Sequence, residues 1–463
     1  MKKNQFCILV LILLVASNLM AQYQPVWESL DKRPTPGWWT DAKFGIFIHW
    51  GVYSVPAYAP MDEVESVYAK YAEHYMARLL SKNELFTNHH EEYFGNNTSY
   101  HDFASQFEAE YFEPDAWADL IKASGAKYVV LTSKHHDGFC LWPSKNSPNW
   151  NSTVLGPGRD LVGQLSEAVR KKGLRMGLYY SLLEWGHPLY SPETIEKWVD
   201  THMMPQMKEL VTAYKPEIIF SDGEWDYTSD VLKSEQFLSW LYNESPVKQT
   251  VVVNDRWGKE TRSKHGDYYT TEYDLVHNKV GIGEEISKPW EESRGIGTSY
   301  GYNQFETVSH YFTSEQLIHL LIDKVSNGGN LLLNIGPKAN GLIPVIMQER
   351  LLDMGKWLEV NGEAIHGTTV WGKRTVEPRD ETIFFTRKEN ALYVICTKWP
   401  EKPVVVAGIK KAEKVSMLGV EQRIKFNIRG QKLVIEPPAL NPGNVPCDHA
   451  WVFKVEGAVA GNR

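Results

Sequence analysis

Six short apolar runs, each closing on polar or aromatic residues, constrain this chain more than any other feature. They are Phe44–Ile48 before His49-Trp50, Tyr128–Thr132 before Ser133-Lys134-His135-His136, Arg175–Tyr180 before Ser181, Glu217–Ser221 before Asp222, Val251–Val253 before Asn254-Asp255-Arg256, and Asn330–Ile335 before Gly336-Pro337. Runs this short and this β-branched read as buried strands. Helical stretches lie between several of them. Asp115–Ala123 is one, and Gly163–Lys172 closes on Gly173 as a C-terminal stop. Ser191–Tyr214 has Ser191 as N-cap and Pro192 at the first helical position, and Ser314–Ser326 stops at Gly328. Strand alternating with helix predicts parallel strands joined by right-handed crossovers. Polar residues gathered after the strand ends fit an α/β fold, a (β/α)8-like TIM barrel with its site at the C-terminal face. An open doubly wound sheet is the alternative, but no Gly-rich phosphate loop follows the first strand.

The pattern changes near residue 365, after a last helix over Pro344–Val360. Thr382–Thr386, Ala391–Cys396, Pro403–Ala407, Lys432–Glu436 and Ala450–Lys454 are short alternating runs that predict a small antiparallel β-domain over 366–463. It lacks clustered acids or histidines, so its role is packing. The other end has Lys2 and Lys3, an apolar run over Phe6–Ala16 and a small residue at Ala21. That is a secretory signal pattern over 1–21, too short in its apolar part for a membrane anchor, and it predicts export to the periplasm or beyond. The barrel then spans 22–365. Cys7 leaves with the signal. Cys140, Cys396 and Cys447 have no metal spacing and read as buried small hydrophobes, with one disulfide open to them. A net charge of −8 argues against nucleic acid as the partner.

On one barrel face the strand ends bring together His49, His135, His136, Tyr180, Asp222 and Arg256. A metal hydrolase would need histidines and carboxylates around one ion. Adjacent His135 and His136 are awkward for that, because neighbours on a strand point to opposite sides. No nucleophile elbow for a serine hydrolase is present. A glycosidase needs two carboxyl groups. Asp222, in Phe220-Ser-Asp-Gly-Glu-Trp225, follows a buried strand and stands beside a glycine that admits substrate.

The segments Ile218–Trp225, Phe237–Asn243 and Val251–Gly258 resemble those of the α-L-fucosidases of glycoside hydrolase family 29. So do Lys43–Ser54, Thr132–Phe139 and Gly328–Pro337. The similarity runs from about residue 25 to 365 and favours the animal-type, broad-specificity branch. The resemblance implies a (β/α)8-like barrel, a C-terminal β-sandwich, and retaining hydrolysis of terminal α-L-fucose from glycans or glycoconjugates without cofactor or metal. It makes Asp222 the nucleophile. It points to Glu291, in Trp290-Glu291 ahead of Tyr300-Gly-Tyr302, as the acid/base, with Glu292, Glu272 and Glu73 as the other acids in question. His49, His135, His136, Tyr180 and Arg256 match sugar-holding positions. Tyr71-Ala-Glu-His-Tyr75 matches a pocket segment, giving Tyr71, Glu73 and His74 as contacts, with His74 where the family has tryptophan. Rival readings are a sugar-binding barrel without catalysis and another exo-glycosidase such as an α-galactosidase. The 17 tryptophans bear on both. Trp50, Trp142, Trp185, Trp225, Trp257 and Trp290 fall near the strand ends or the acids, where they would frame a sugar pocket.

Overall fold

The computed structural model describes residues 22–61, 67–273, 288–372 and 381–460. The proposed signal segment lies outside them. Eight parallel strands curl into a barrel: β1 (Phe44–Ile48), β2 (Tyr128–Lys134), β3 (Arg175–Ser181), β4 (Ile218–Asp222), β5 (Val252–Val253), β6 (Tyr269–Glu272), β7 (Trp290–Gly295) and β8 (Gly329–Ile335). Their spatial order is β5-β4-β3-β2-β1-β8-β7-β6. The edge strands β5 and β6 are not joined by a ladder. Two aspartates stitch them instead. Asp267 donates its N–H to the Val253 carbonyl and accepts the Val253 N–H, both at 3.0 Å. Asp255 accepts from the Thr270 hydroxyl at 2.6 Å.

Six of these strands are the six apolar runs, and nearly all their residues are buried on both faces. That is the expectation for parallel strands walled by helices. The other two, β6 and β7, read Tyr-Thr-Thr-Glu and Trp-Glu-Glu-Ser-Arg-Gly. They carry no apolar run, and the segment holding Glu291 is therefore barrel wall and not a loop.

Outside the strands lie α1 (Pro114–Ala123), α2 (Leu161–Lys171), α3 (Met204–Tyr214), α4 (Ser234–Asn243), α5 (Ser314–Ser326) and α6 (Val345–Asn361). Gly173 stops α2 with φ of +74°, a conformation in which a side chain is strained. The helix expected over Ser191–Tyr214 starts later, at Ile195, and passes through a π turn at Val199–Met203 before α3. Pro205 has no N–H to give, and a shifted hydrogen-bond register ahead of it accommodates that loss. The interior of the barrel is filled by Phe47, Tyr128, Val130, Tyr179, Phe220, Tyr268 and their neighbours.

Beyond the barrel the chain forms antiparallel sheets with their own core, including Leu392, Val394, Val406, Leu433 and Phe453. The strands are β9 (Thr369–Val370), β10 (Ile383–Lys388), β11 (Ala391–Cys396), β12 (Val404–Ala407), β13 (Ile409–Lys411), β14 (Lys414–Met417), β15 (Lys425–Arg429), β16 (Lys432–Glu436), β17 (Trp451–Glu456) and β18 (Val459–Ala460). One sheet runs β14-β17-β11-β10-β9, a second β12-β16-β15, and a third pairs β13 with β18. Trp357 of α6 donates to the Ala450 carbonyl at 2.9 Å and ties this part to the barrel. Cys140, Cys396 and Cys447 are all free thiols, so the disulfide left open by the sequence is not formed.

Candidate active site

A cavity of about 560 Å³ opens at the C-terminal ends of the strands. Asp222, the last residue of β4, stands in its wall. Asp222 Oδ1 accepts from Arg256 Nη1 at 2.8 Å, and Oδ2 accepts from the Tyr179 hydroxyl at 3.0 Å. His136 Nε2 is 3.6 Å from Oδ2, and Arg262 Nη2 is 3.7 Å from Oδ1. Burial pushes the carboxyl pKa up, but Arg256, His136 and Arg262 outweigh it and hold Asp222 well below the usual carboxylate range. An ionised, partly desolvated carboxylate at a barrel mouth has the chemistry that a nucleophile needs.

The second acid follows from Arg256. Its Nη2 donates to Glu272 Oε2 at 3.2 Å, so one planar guanidinium grips Asp222 and Glu272 together. Arg256 is itself fixed by Nε on the Thr270 hydroxyl at 3.0 Å and by the Phe220 ring beneath it. Tyr71 donates to Glu272 Oε1 at 2.7 Å. Glu272 ends β6 and lines the cavity.

Glu291 does not line it. It is the second residue of β7, in register with Thr270 and therefore two residues below Glu272. Its side chain is in the barrel floor, where the Tyr128 hydroxyl donates to it. Burial raises its carboxyl to about 8, against the opposing pull of Tyr128, Tyr268 and Arg256. A group sunk in the floor has no route to a leaving oxygen, whereas Glu73 and Glu272 line the cavity and Glu272 shares Arg256 with Asp222. Glu292 is also off the cavity, accepting from the Thr271 hydroxyl.

Tyr180 is a second correction. Its hydroxyl donates to Gln206 at 2.8 Å, and the Lys134 ammonium sits 4.4 Å over its ring. It faces the helices, while Tyr179 faces the cavity, because successive strand residues point to opposite sides. A one-residue slip in reading the strand exchanges the two.

The histidines do converge. His49, His74, His135 and His136 all line the cavity. His135 and His136 escape strand alternation because β2 ends at Lys134, where its pairing with β3 already shifts. Burial lowers His49 to about 3 and His136 to about 4, and takes His74 and His135 well below the ordinary value, so all four are neutral. The proton on His49 is fixed: Asn334 gives its Nδ2 to the Tyr300 carbonyl, so its Oδ1 accepts from His49 Nδ1 at 2.7 Å. The His49 Nε2 is left with a lone pair. Glu73 accepts from the Gly301 N–H at 2.8 Å and Ser299 at 3.2 Å, and burial raises it to about 7.

The sequence reading missed Phe47, Tyr179, Phe220 and Tyr300 as cavity walls. Inward alternation from Phe47 would have found the first. Of the six strand-end tryptophans, Trp225 alone lines the cavity. Trp50, Trp142 and Trp257 are core, Trp290 is buried in β7, and Trp185 packs behind His74 and His136. Asp137 lies behind the site, accepting from the Tyr100 hydroxyl and the Phe139 N–H. Outside the cavity, Glu184, His187 and His202 approach one another. There the Lys134 ammonium already neutralises Glu184 at 3.1 Å, and His187 Nδ1 accepts the Leu189 N–H, a charge-balanced network and not a ready cation cage.

Two carboxylates on one arginine, in a concave site walled by neutral imidazoles and aromatic rings, define a barrel glycoside hydrolase. The comparisons narrow the class. Residues 11–363 match the alpha-L-fucosidase family profile and 377–456 that of the alpha-L-fucosidase C-terminal domain. The chain is 42% identical to rat tissue alpha-L-fucosidase, with 96% of each chain covered, and 43% identical to the human tissue enzyme, with 94% of this chain and 92% of the relative covered. Among solved structures, the Thermotoga maritima alpha-fucosidase in complex with fucose is 39% identical with a TM-score of 0.78, covering 94% of this chain and all of that one. The chain belongs to the α-L-fucosidase family of glycoside hydrolases, in its animal-type branch, and shares the family's barrel and C-terminal β-sandwich.

Proposed function

We propose that this enzyme releases terminal α-L-fucose from glycans or glycoconjugates with retention of configuration, with Asp222 as nucleophile and Glu272 as acid/base. The observation that carries the reading is the Arg256 fork, which sets these two carboxyls side by side in the cavity. Asp222 Oδ1 or Oδ2 attacks the anomeric carbon as Glu272 gives its proton to the leaving oxygen. Water, deprotonated by Glu272, then cleaves the glycosyl-enzyme ester. Retention requires carboxyls roughly 5–5.5 Å apart, which suits two acids sharing one guanidinium. His49 Nε2 accepts from a sugar hydroxyl, His135, His136, Tyr71, His74 and Glu73 surround the ring, and Phe47 and Phe220 offer the apolar wall that a 6-deoxy sugar needs at its C5 methyl. Fucose bound to the Thermotoga relative supports that sugar here.

The division into a barrel over 22–365 and a sandwich over 366–463 is part of the same proposal. So is export directed by residues 1–21. Among the described residues no helix is long and apolar enough to cross a membrane.

The test is hydrolysis of 4-nitrophenyl α-L-fucoside by wild type and Asp222→Ala, with NMR of the first-formed sugar. Rapid turnover giving α-fucose, lost in the variant, supports the reading. First-formed β-fucose overturns retention. Sugar binding without turnover makes the chain a lectin-like barrel.

A further inference from the structure

Among the described residues, two cations of the cavity lining take no part in the proposed reaction. Four cations line the cavity. Arg256 is engaged by Asp222 and Glu272, and Arg262 donates through Nε to Glu224. Arg78 and Lys259 remain. Arg78 gives Nη2 to the Tyr68 carbonyl at 3.2 Å. Among the described residues neither Arg78 nor Lys259 has a carboxylate within 4.0 Å. They reach the cavity from separate elements, Arg78 from the helical turn Tyr75–Leu80 behind His74, and Lys259 from the segment after β5 that also carries Arg256 and Trp257. The chain as a whole is acidic, with a net charge of −8, so two lining cations without a carboxylate partner do not follow from its composition.

Two aromatic side chains of the lining are open to solvent. Tyr68 and Trp225 line the cavity and are 37% and 43% exposed, whereas Phe47, Tyr179, Phe220 and Tyr300 deeper down are buried. The reacting carboxyls lie among those deeper rings, so the outer ring of residues meets whatever the fucose is attached to. An open aromatic face accepts the C–H face of a pyranose, and a cation beside it accepts an anion borne by that pyranose.

We propose that the leaving-group side of the cavity is built for an anionic glycan, a sugar ring bearing a sulfate or carboxylate close to the fucosyl linkage, held by Lys259 and Arg78 against Trp225 and Tyr68. This rests on the fucoside-hydrolase reading and extends it to the aglycone. No new covalent step is involved: the anion is recognised, and the bond broken is the same.

The experiment compares kcat/KM for three aryl α-L-fucosides: 4-carboxyphenyl, 4-sulfophenyl, and the neutral 4-(methoxycarbonyl)phenyl ester. The readout is each anionic-to-neutral ratio in wild type, Arg78→Gln, Lys259→Gln and the double variant, at low and high salt. A ratio within one enzyme series cancels the differences in leaving-group acidity, folding yield and active fraction. The proposal expects either ratio, or both, to fall about 3- to 5-fold for each cation removed and to fall with added salt in wild type. A fall confined to the sulfonate assigns a sulfated sugar, and one confined to the carboxylate assigns a uronic or sialic acid type. Ratios that stay level in the double variant, or show no salt dependence in wild type, overturn the proposal. Failure of wild type to hydrolyse the neutral ester would instead strike at the fucosidase reading itself.

Discussion

Glu291 and Glu272 are the same residue type, on neighbouring strands, both pointing into the barrel, and separated by one level of side chains. The lower one meets Tyr128 in a dry floor, and burial holds it protonated to about pH 8. The upper one meets Arg256, Tyr71 and the open cavity. In a parallel barrel the floor is packed and the mouth is open, so position along the strand, and not chemistry, separates an acid of the floor from one that faces the cavity. Asp222 makes the same point on β4. It is the last residue of its strand, and Arg256 and Arg262, with His136 beside them, keep it an anion in spite of burial.

The contrast breaks most visibly at Asp222. Asp222→Ala should lower kcat on an aryl fucoside on the order of 10^4-fold or more, measured with active-site integrity checked by fucose binding. Next is the pair of glutamates. Glu272→Ala should lose about 10^2- to 10^4-fold on a substrate with a poor leaving group, and on an activated aryl fucoside azide should raise its turnover with an α-L-fucosyl azide product. Glu291→Gln, which copies the protonated carboxyl, should stay within about 5-fold of wild type in kcat/KM. Azide rescue in the Glu291 variant but not in the Glu272 variant would reverse the assignment.

A quieter difference lies in stability against pH. The Glu291 carboxyl is raised from 4.5 to about 8 in the folded chain. The unfolded chain releases that proton first, so this group's contribution is complete below pH 4.5 and is lost as pH rises towards 8. Thermal melts should therefore show Glu291→Gln gaining on wild type from pH 5 to pH 8. A difference that stays flat over that window would mean that the floor carboxyl is not held protonated. Moderate effects are expected at the two tyrosines of β3. Tyr179→Phe removes a hydrogen bond to the nucleophile and should cost about 10-fold in kcat/KM, while Tyr180→Phe should leave kinetics alone and cost about 1 kcal/mol of stability through Gln206.

These cases also mark what could be read from residues in a row. Strands β1 to β5 and β8 were legible because burial on two faces leaves an apolar run. Strands β6 and β7 were not, because the residues they themselves turn inward are polar: Thr270 supports Arg256, Glu272 lines the cavity, and Glu291 pairs with tyrosine. Glu272 was in view only as one acid among several. His135 and His136 both line the cavity although alternation argued against it, since the strand ends at Lys134, just before the pair. The tryptophans were over-read, for proximity to a strand end in sequence does not say whether a side chain turns to the mouth or to the helices.

What the sequence determined alone was the alternation of strand and helix, the change to antiparallel runs near residue 365, the place of Asp222 at a strand end and the convergence of histidines with Arg256. All of these follow from local periodicity and from which residues directly follow an apolar strand. What the tertiary structure decided was which of two adjacent tyrosines faces the cavity, and which glutamate shares a guanidinium with Asp222. Those depend on inward phase and on height along a strand, quantities set by pairing with neighbours dozens to hundreds of residues away.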